Sequence, residues 1–302
     1  MPAASVAYPG SHRPAPGASR SAPDPLDPAE IDRVVRLALR EDVGSGDLTT
    51  DALVGPLLRL RAEILLKEPG VVAGLPLAAA VFRALSADIF FEPLVADGAI
   101  LSRPGQAVAR LQGPARAILT GERTALNLLG QLSGIATLTR RFVDAVAGTG
   151  AVILDTRKTT PGLRAVEKYA VRCGGGRNHR FGLYDAILIK DNHLQAAGGV
   201  GPAVAAARAA LPGRPVEVEV DTIAQVDEAL AAGADRILLD NMSVGQLHEA
   251  VAHVGGRVPL EASGGVTLAT VRAIAATGVD VISVGAVTHS ALSLDVSLEV
   301  LS

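Results

Sequence analysis

The stretch VEVEVDTIAQVDEALAAGADRILLDN, residues 216–241, reads as strand, helix, strand. Its ends, VEVEVDT (216–222) and RILLDN (236–241), are short apolar runs that close on polar residues, and the Ala-rich segment between them keeps a helical period. Asp221 or Thr222 stands where a helix N-cap belongs, since a short side-chain oxygen there can accept from an amide that the first turn leaves unpaired. The module repeats: AAGADRILLDN (231–241) and AATGVDVISVGA (275–286) each place a Gly at a helix end, an Asp two residues later and then a strand.

Outward from this unit the same pattern gives AVILDTRK (151–158), AILIKDN (186–192), PLEASGG (259–265) and VISVGA (281–286), with Ser243 and Thr267 as further candidate caps. Six such strands alternating with helices predict a parallel sheet covered on both faces. They fit a partial or complete TIM-like β/α barrel over residues 134–289. A doubly wound open sheet is the alternative, because periodicity does not prove closure. In a barrel the polar strand ends share one rim, where such folds carry their chemistry.

Upstream the pattern changes. Residues 28–40 read as an amphipathic helix capped by Asp27, 41–50 (EDVGSGDLTT) as a Gly-Asp-Thr loop, and 61–74 as hairpin-like strands. A helix is expected near 75–85 and strands near 89–95 and 107–119. Together these make an α+β N-terminal domain, residues 26–133, to which the last residues, 290–302, return through SLDVSLEVL (293–301). GERTALNLLGQLSGIATLTRRFVDAV (121–146) reads as a long helix whose Gly130, Ser133, Gly134 and Ala136 would permit close packing.

The bulk numbers bound the class. With 302 residues the chain can bury one large or two ordinary cores. Its net charge of −3 and pI near 6.1 argue against a nucleic-acid surface, and no charge-free run approaches the roughly 20 residues of a spanning helix. The single cysteine, Cys173, excludes an intrachain disulfide and fits a cytoplasmic protein. Residues 1–25, rich in Pro, Ala, Ser and Gly, read as a disordered tail. Arg13 and Arg20 without an acid before Asp24 raise an organelle transit peptide as the competitor, which the prolines oppose.

Against that acidic background, residues 155–194 hold eight Lys or Arg and four Asp or Glu. Arg157 and Lys158 end one strand, Lys190 ends the next, and His179 and Arg180 lie in the Gly-rich connection, so all five can converge above the barrel as a site for carboxylates or phosphates. Glu219 and Asp240 end the following strands, where carboxylates can hold Mg²⁺ or oppose a developing positive charge. Ser263, Gly264 and Gly265, then Ser283, Val284 and Gly285, close the last two strands with small residues that let backbone amides approach a phosphate. A Schiff-base role for Lys190 is a rival reading, and His289 reads equally as ligand-facing or packed.

The runs EDVGSGDLTT, GERTALNLLGQLSGIATLT, DTRKTTPGLRAVEKYAVRCGGGRNHRFGLYDAILIKDNH, LLDN, EASGG and ISVGA together resemble the quinolinate phosphoribosyltransferase family, from about residue 27 to the C-terminus. The resemblance implies a Mg²⁺-dependent reaction of quinolinate with phosphoribosyl pyrophosphate that gives nicotinate mononucleotide, pyrophosphate and CO₂. It implies that Arg157, His179, Arg180 and Lys190 grip the quinolinate carboxylates, with Arg123 donated by the other subunit of a homodimer. Thr156 and His289 are further substrate contacts on the same likeness. Lys158, Glu219 and Asp240 would be the catalytic group, Glu219 and Asp240 would also hold the metal, and Ser263–Gly265 with 283–285 would take the 5′-phosphate. Assembly beyond the dimer is left open. A paralogue from a molybdenum-transport context shares much of the motif set, so a different acceptor is the alternative.

Overall fold

The structure, a computed structural model, describes residues 23–301. Its elements begin with α1 (Pro28–Asp42), α2 (Leu48–Leu53), β1 (Arg59–Leu66), β2 (Gly70–Val71), α3 (Leu75–Leu85), β3 (Phe90–Pro93), β4 (Ile100–Leu101), β5 (Gln106–Pro114) and α4 (Ala115–Ala145). Then come β6 (Val152–Leu154), α5 (Arg164–Cys173), β7 (Ile187–Ile189), α6 (Asp191–Ala197), α7 (Val200–Ala210), β8 (Val216–Val220), α8 (Ile223–Ala231) and β9 (Arg236–Asp240). The chain ends with α9 (Val244–Val254), β10 (Leu260–Ser263), α10 (Val271–Ala276), β11 (Val281–Ser283), α11 (Ala286–His289) and β12 (Val296–Leu301). Two compact units result: an α+β unit of residues 23–140, Thr159–Gly175 and 287–301, and a barrel unit of Arg141–Lys158 and Gly176–Ala286. The segment Thr159–Gly175, which the sequence reading gives to the barrel, groups with the α+β unit.

In the α+β unit an antiparallel sheet runs β12-β1-β5-β3. The hairpin expected over 61–74 does not form. Both edges of β1 are taken, by β12 and β5, and the two-residue β2 pairs with β4 instead. The strand expected over 107–119 stops at Pro114, which has no N–H to continue a ladder, and α4 starts at the next residue. The loop expected at 41–50 is partly helical: Asp47 accepts from the Thr50 N–H at 2.9 Å and starts α2. The small residues of α4 do allow close approach. A Cβ at Gly134 would overlap the Leu292 carbonyl, one at Gly130 would sit 2.7 Å from the Leu294 carbonyl, and Ser133 Oγ accepts from the Ala73 N–H. The tail expected over 1–25 lies, through residue 22, outside the described residues; of the rest, Asp24 offers its carbonyl to Arg172 and Leu26 is already buried.

The barrel unit holds six parallel strands in the order β6-β11-β10-β9-β8-β7. Each apolar run of the repeated module is one of these strands. Thr222 and Ser243 cap α8 and α9 as expected, whereas Thr267 caps only a turn, and α10 begins four residues later. The edge strands β6 and β7 do not pair with each other; Leu154 of β6 instead bridges Arg177. The barrel is therefore partial. It is not the flat alternative, because residues ending both edge strands, Arg157 and Lys190, line one pocket.

Candidate active site at the strand ends

Successive strand residues point to opposite faces, so position i shares a face with i+2. In β8, Val216, Val218 and Val220 are buried on the face toward α7 and α8, which leaves Glu217 and Glu219 on the concave face. The same rule puts Leu188 and Lys190, then Arg236, Leu238 and Asp240, then Glu261 and Ser263, on that face. A pocket of about 560 Å³ opens there. It is lined by Thr156, Arg157, Lys158, His179, Arg180, Lys190, Glu219, Asp240, Ser263, Gly264, Gly265 and Ser283, and by Leu188, Leu238, Asn241 and Glu261, which the sequence reading did not single out.

The mouth of this pocket is partly solvated. Lys190 is the N-cap of α6, its N–H donating to His193 Nδ1, and its Nζ sits 2.8 Å from Glu219 Oε2. That pair is half-exposed on the lysine side, and a pair of this kind contributes about 0–1 kcal/mol, so an arriving anion can recruit Lys190 at little cost. Asp240 accepts from Asn241 Nδ2 at 2.7 Å, and Asn241 has φ 52°, the left-handed region that Asn tolerates better than most residues. Gly264 packs against it: a Cβ there would overlap Asn241 Oδ1, and Gly264 itself has φ 95°. These constraints set the backbone beside the pocket and explain why a Gly stands at 264.

Beneath the mouth lies a buried polar floor. Arg236 Nε is 3.5 Å from Glu217 Oε1 and its NH2 is 3.4 Å from Glu261 Oε2; both carboxylates are fully buried. His179 Nε2 faces the same pair, 3.3 Å from Glu217 and 3.6 Å from Glu261, while its Nδ1 accepts from the Arg180 N–H at 2.7 Å. Ser283 Oγ donates to Glu261 Oε1. Burial, and then the charge of Glu217, pushes the Glu261 carboxyl up to about 7, and burial likewise raises Glu217 against the pull of Arg236. Buried Asp155, at the end of β6, accepts from the His179 N–H at 2.8 Å and from Asn178 Nδ2 at 2.5 Å, and Arg180 NH1 donates to the Ala186 carbonyl.

Two expected site residues, Val284 and Gly285, are not among those that line the pocket, and two more belong to the other unit. Val284 is buried and its N–H donates to the Leu154 carbonyl, so it cannot serve a phosphate, and Gly285 does not line the pocket. Arg123 and His289 belong to the α+β unit. Arg123 lines a cavity of about 250 Å³ with Asn127, Gln131 and Asp295, and exposed His289 shares a hydrogen bond with Ser290 Oγ. Glu217, Arg236, Glu261 and Asp155 were missed because their strands read as apolar. The i, i+2 partners of Glu219, Asp240 and Ser263 are Glu217, Leu238 and Glu261, so face counting alone would have drawn out both glutamates.

Two groups could be asked to hold a cation. His179, Glu217 and Glu261 bring ligand atoms within 4.8 Å of one another, but the Arg236 guanidinium already occupies their charge and the carboxylates have no exposure. Glu219 and Asp240 fit Mg²⁺ better: both are half-buried hard-oxygen donors at the pocket wall, and two carboxylates completed by phosphate oxygens and water suit that ion.

The chain matches the description "Quinolinate phosphoribosyl transferase, C-terminal domain" over residues 135–299 and the corresponding N-terminal domain over residues 47–133. It is 49% identical over 271 residues to the nicotinate-nucleotide pyrophosphorylase (carboxylating) of Mycobacterium leprae, covering 88% of this chain and 95% of that protein. A probable enzyme of the same name from Bacillus subtilis is 46% identical over 261 residues, covering 86% and 90%. Among solved structures, the nicotinate-nucleotide pyrophosphorylase of Francisella tularensis superposes with a TM-score of 0.89 at 39% identity, covering 94% of this chain and all of that one. With matches to both domains and relatives of this identity along most of its length, the chain belongs to the quinolinate phosphoribosyltransferase family.

Proposed function

We propose that this chain joins quinolinate to phosphoribosyl pyrophosphate, giving nicotinate mononucleotide, pyrophosphate and CO₂ for NAD synthesis. The observation that supports it most is the meeting, in one pocket, of Arg157, Lys158, Arg180 and Lys190 with Glu219 and Asp240. Quinolinate carries two carboxylates on adjacent ring carbons, and forked guanidiniums with a recruitable lysine match that pair. Glu219 and Asp240 oppose the positive charge that develops on the ribose as the ring nitrogen forms its bond to C1 and pyrophosphate leaves. Mg²⁺, when bound, neutralises pyrophosphate charge. Loss of the adjacent carboxylate as CO₂ then leaves the electron pair of the broken bond on the ring carbon, where the neighbouring positive nitrogen stabilises it until that carbon takes up one proton. Positioning and fixed charge do most of this work.

Backbone amides around Gly264 and Gly265 are the candidates for the 5′-phosphate, joined from the 283–285 segment by Ser283, which lines the same pocket. Incubation with both substrates and Mg²⁺ should yield nicotinate mononucleotide by mass spectrometry, and a Lys158→Ala control should yield at least a hundredfold less. Folded protein that makes none would transfer the reading to another acceptor acid.

Arg123 is proposed as the residue lent to a partner's site in a homodimer. Mixing Arg123→Ala with Lys158→Ala chains should then recover activity in exchanged dimers, and no recovery after proven exchange would refute the sharing. Among the described residues no helix is long and apolar enough to cross a membrane, and a cytoplasmic location, to be checked by cell fractionation, suits the single buried thiol of Cys173.

A further inference from the structure

We infer that Glu167, fully buried in the first turn of α5, is a positioning residue that fixes the loop presenting Arg157 and Lys158 to the pocket. The loop, DTRKTTPGL, runs from residue 155 to residue 163. Lys158 and Thr160 are exposed in it and Arg157 is half-buried, so its course depends on hydrogen bonds more than on packing. Those bonds come from both sides of Lys158. Upstream, the Lys158 N–H donates to Thr156 Oγ1 at 3.0 Å. Downstream, the Thr160 N–H donates to Glu167 Oε2 at 3.1 Å, the Thr160 carbonyl accepts from the Leu163 N–H at 3.0 Å, and Thr159 Oγ1 accepts from Arg164 Nε at 2.9 Å.

Among these partners Glu167 is the one without exposure. Its second oxygen, Oε1, accepts from Gln131 Nε2 of α4 at 3.3 Å, so the long helix sets the carboxyl and the carboxyl sets the loop. The needs of α5 do not explain this arrangement. A side chain capping that helix would stand at Leu163, which makes no cap bond, whereas Glu167 reaches seven residues back to an amide outside the helix. Burying a carboxyl is costly unless its oxygens are bonded, and here half of that bonding is spent on one amide of an exposed loop. What the bond achieves is placement. Lys158 is separated from the fixed amide only by Thr159, which Arg164 also holds, and displacing a catalytic group by about 1 Å costs about a hundredfold in rate.

This rests on the role proposed above for Lys158, and the geometry and the role fail separately. Hydrogen exchange of the full chain, read by NMR, should find the Thr160 amide slow in the wild type. It should stay slow in Glu167→Gln, whose side-chain oxygen can accept in the same place with the Gln131 amide turned over, and become fast in Glu167→Ala while the amides of β8 keep their protection. A fast Thr160 amide in the wild type would overturn the inference, whatever the turnover. In kinetics, Glu167→Ala should lower kcat/KM for phosphoribosyl pyrophosphate about thirtyfold and Glu167→Gln less than about threefold. Added to Lys158→Ala, the same alanine should cost less than about fivefold more, because the group it positions is already gone. Glu167→Met, which keeps bulk without an acceptor, takes the place of the alanine if that variant does not fold. Losses that multiply in the double variant, or a Glu167→Gln as impaired as Glu167→Ala, would refute the positioning role and leave Glu167 a support of the fold. Absence of turnover in the wild-type chain would instead sink the proposed reaction, and the exchange result would then decide by itself whether Glu167 holds the loop.

Discussion

The mouth and the floor of the pocket are built by the same strands, two residues apart, yet they obey opposite rules. Glu219 at the mouth is paired with an exposed lysine that solvent or a ligand can draw away; Glu217, one inward position below, is locked against Arg236 and His179 with no exposure. Charge near water is cheap to hold and cheap to redirect, which suits a surface that must accept and release anions. Charge without water is costly to leave unpaired, which suits a base that must not move. A single strand, VEVEV, carries both kinds.

The largest test of that contrast is to remove one cation from each level. Arg236→Ala leaves two buried carboxylates without their guanidinium and should cost about 3–5 kcal/mol of unfolding free energy. Lys190→Ala should cost about 1 kcal/mol or less, since its partner Glu219 keeps contact with solvent, while activity falls sharply. Urea unfolding of both variants reads this directly, and similar losses of stability would show that the floor is not special.

A smaller effect separates the floor by pH. The Glu261 carboxyl stands at about 7 in the folded chain, above its ordinary value of 4.5, because of burial, then the charge of Glu217, with His179, Arg236 and Ser283 opposing. Folding therefore favours the protonated form. That contribution is fully present below 4.5 and is lost as pH rises through 7. Wild-type protein should lose roughly 1–3 kcal/mol between pH 4.5 and 7.5 that Glu261→Gln does not lose. Urea midpoints measured at both pH values decide it; parallel curves would mean that His179, Arg236 and Ser283 fully offset both burial and the Glu217 charge.

This division also marks what the sequence could show. Strand ends were legible because Lys158, Lys190, Glu219 and Asp240 interrupt apolar runs, and the caps at Thr222 and Ser243 were legible from side-chain chemistry. Thr267 misled because a threonine three residues later closes a turn before the helix begins. The floor was hidden: Glu217 and Glu261 look like ordinary breaks in a strand until alternation assigns their face, and the pairing that makes their burial tolerable joins strands far apart in the chain. Val284 reads as a phosphate contact because it adjoins a Ser and a Gly, but the pleat sends its side chain into the core and its amide to Leu154. The missing closure between β6 and β7 is likewise a long-range property that no local period encodes.

The smallest expected effect on stability lies in the backbone of the mouth, at Asn241. Its φ of 52° is one that Gly adopts freely, so Asn241→Gly relieves a local cost, but a glycine also loses more freedom on folding, about 0.4–1 kcal/mol. The two terms oppose, and unfolding free energy should stay within about 0.5 kcal/mol of wild type. Activity should not stay with it. The substitution removes the 2.7 Å hydrogen bond to Asp240, a charge-assisted contact contributing about 1.5 kcal/mol to the orientation of that carboxylate, and a loss of that size in the transition state is about tenfold in kcat/KM. Unchanged stability with tenfold lower kcat/KM would place Asn241 with the redirectable mouth. A stability loss as large as that of Arg236→Ala would instead mean that the constraint shared with Gly264 ties this part of the mouth to the floor, and the line between the two levels would have to be drawn higher.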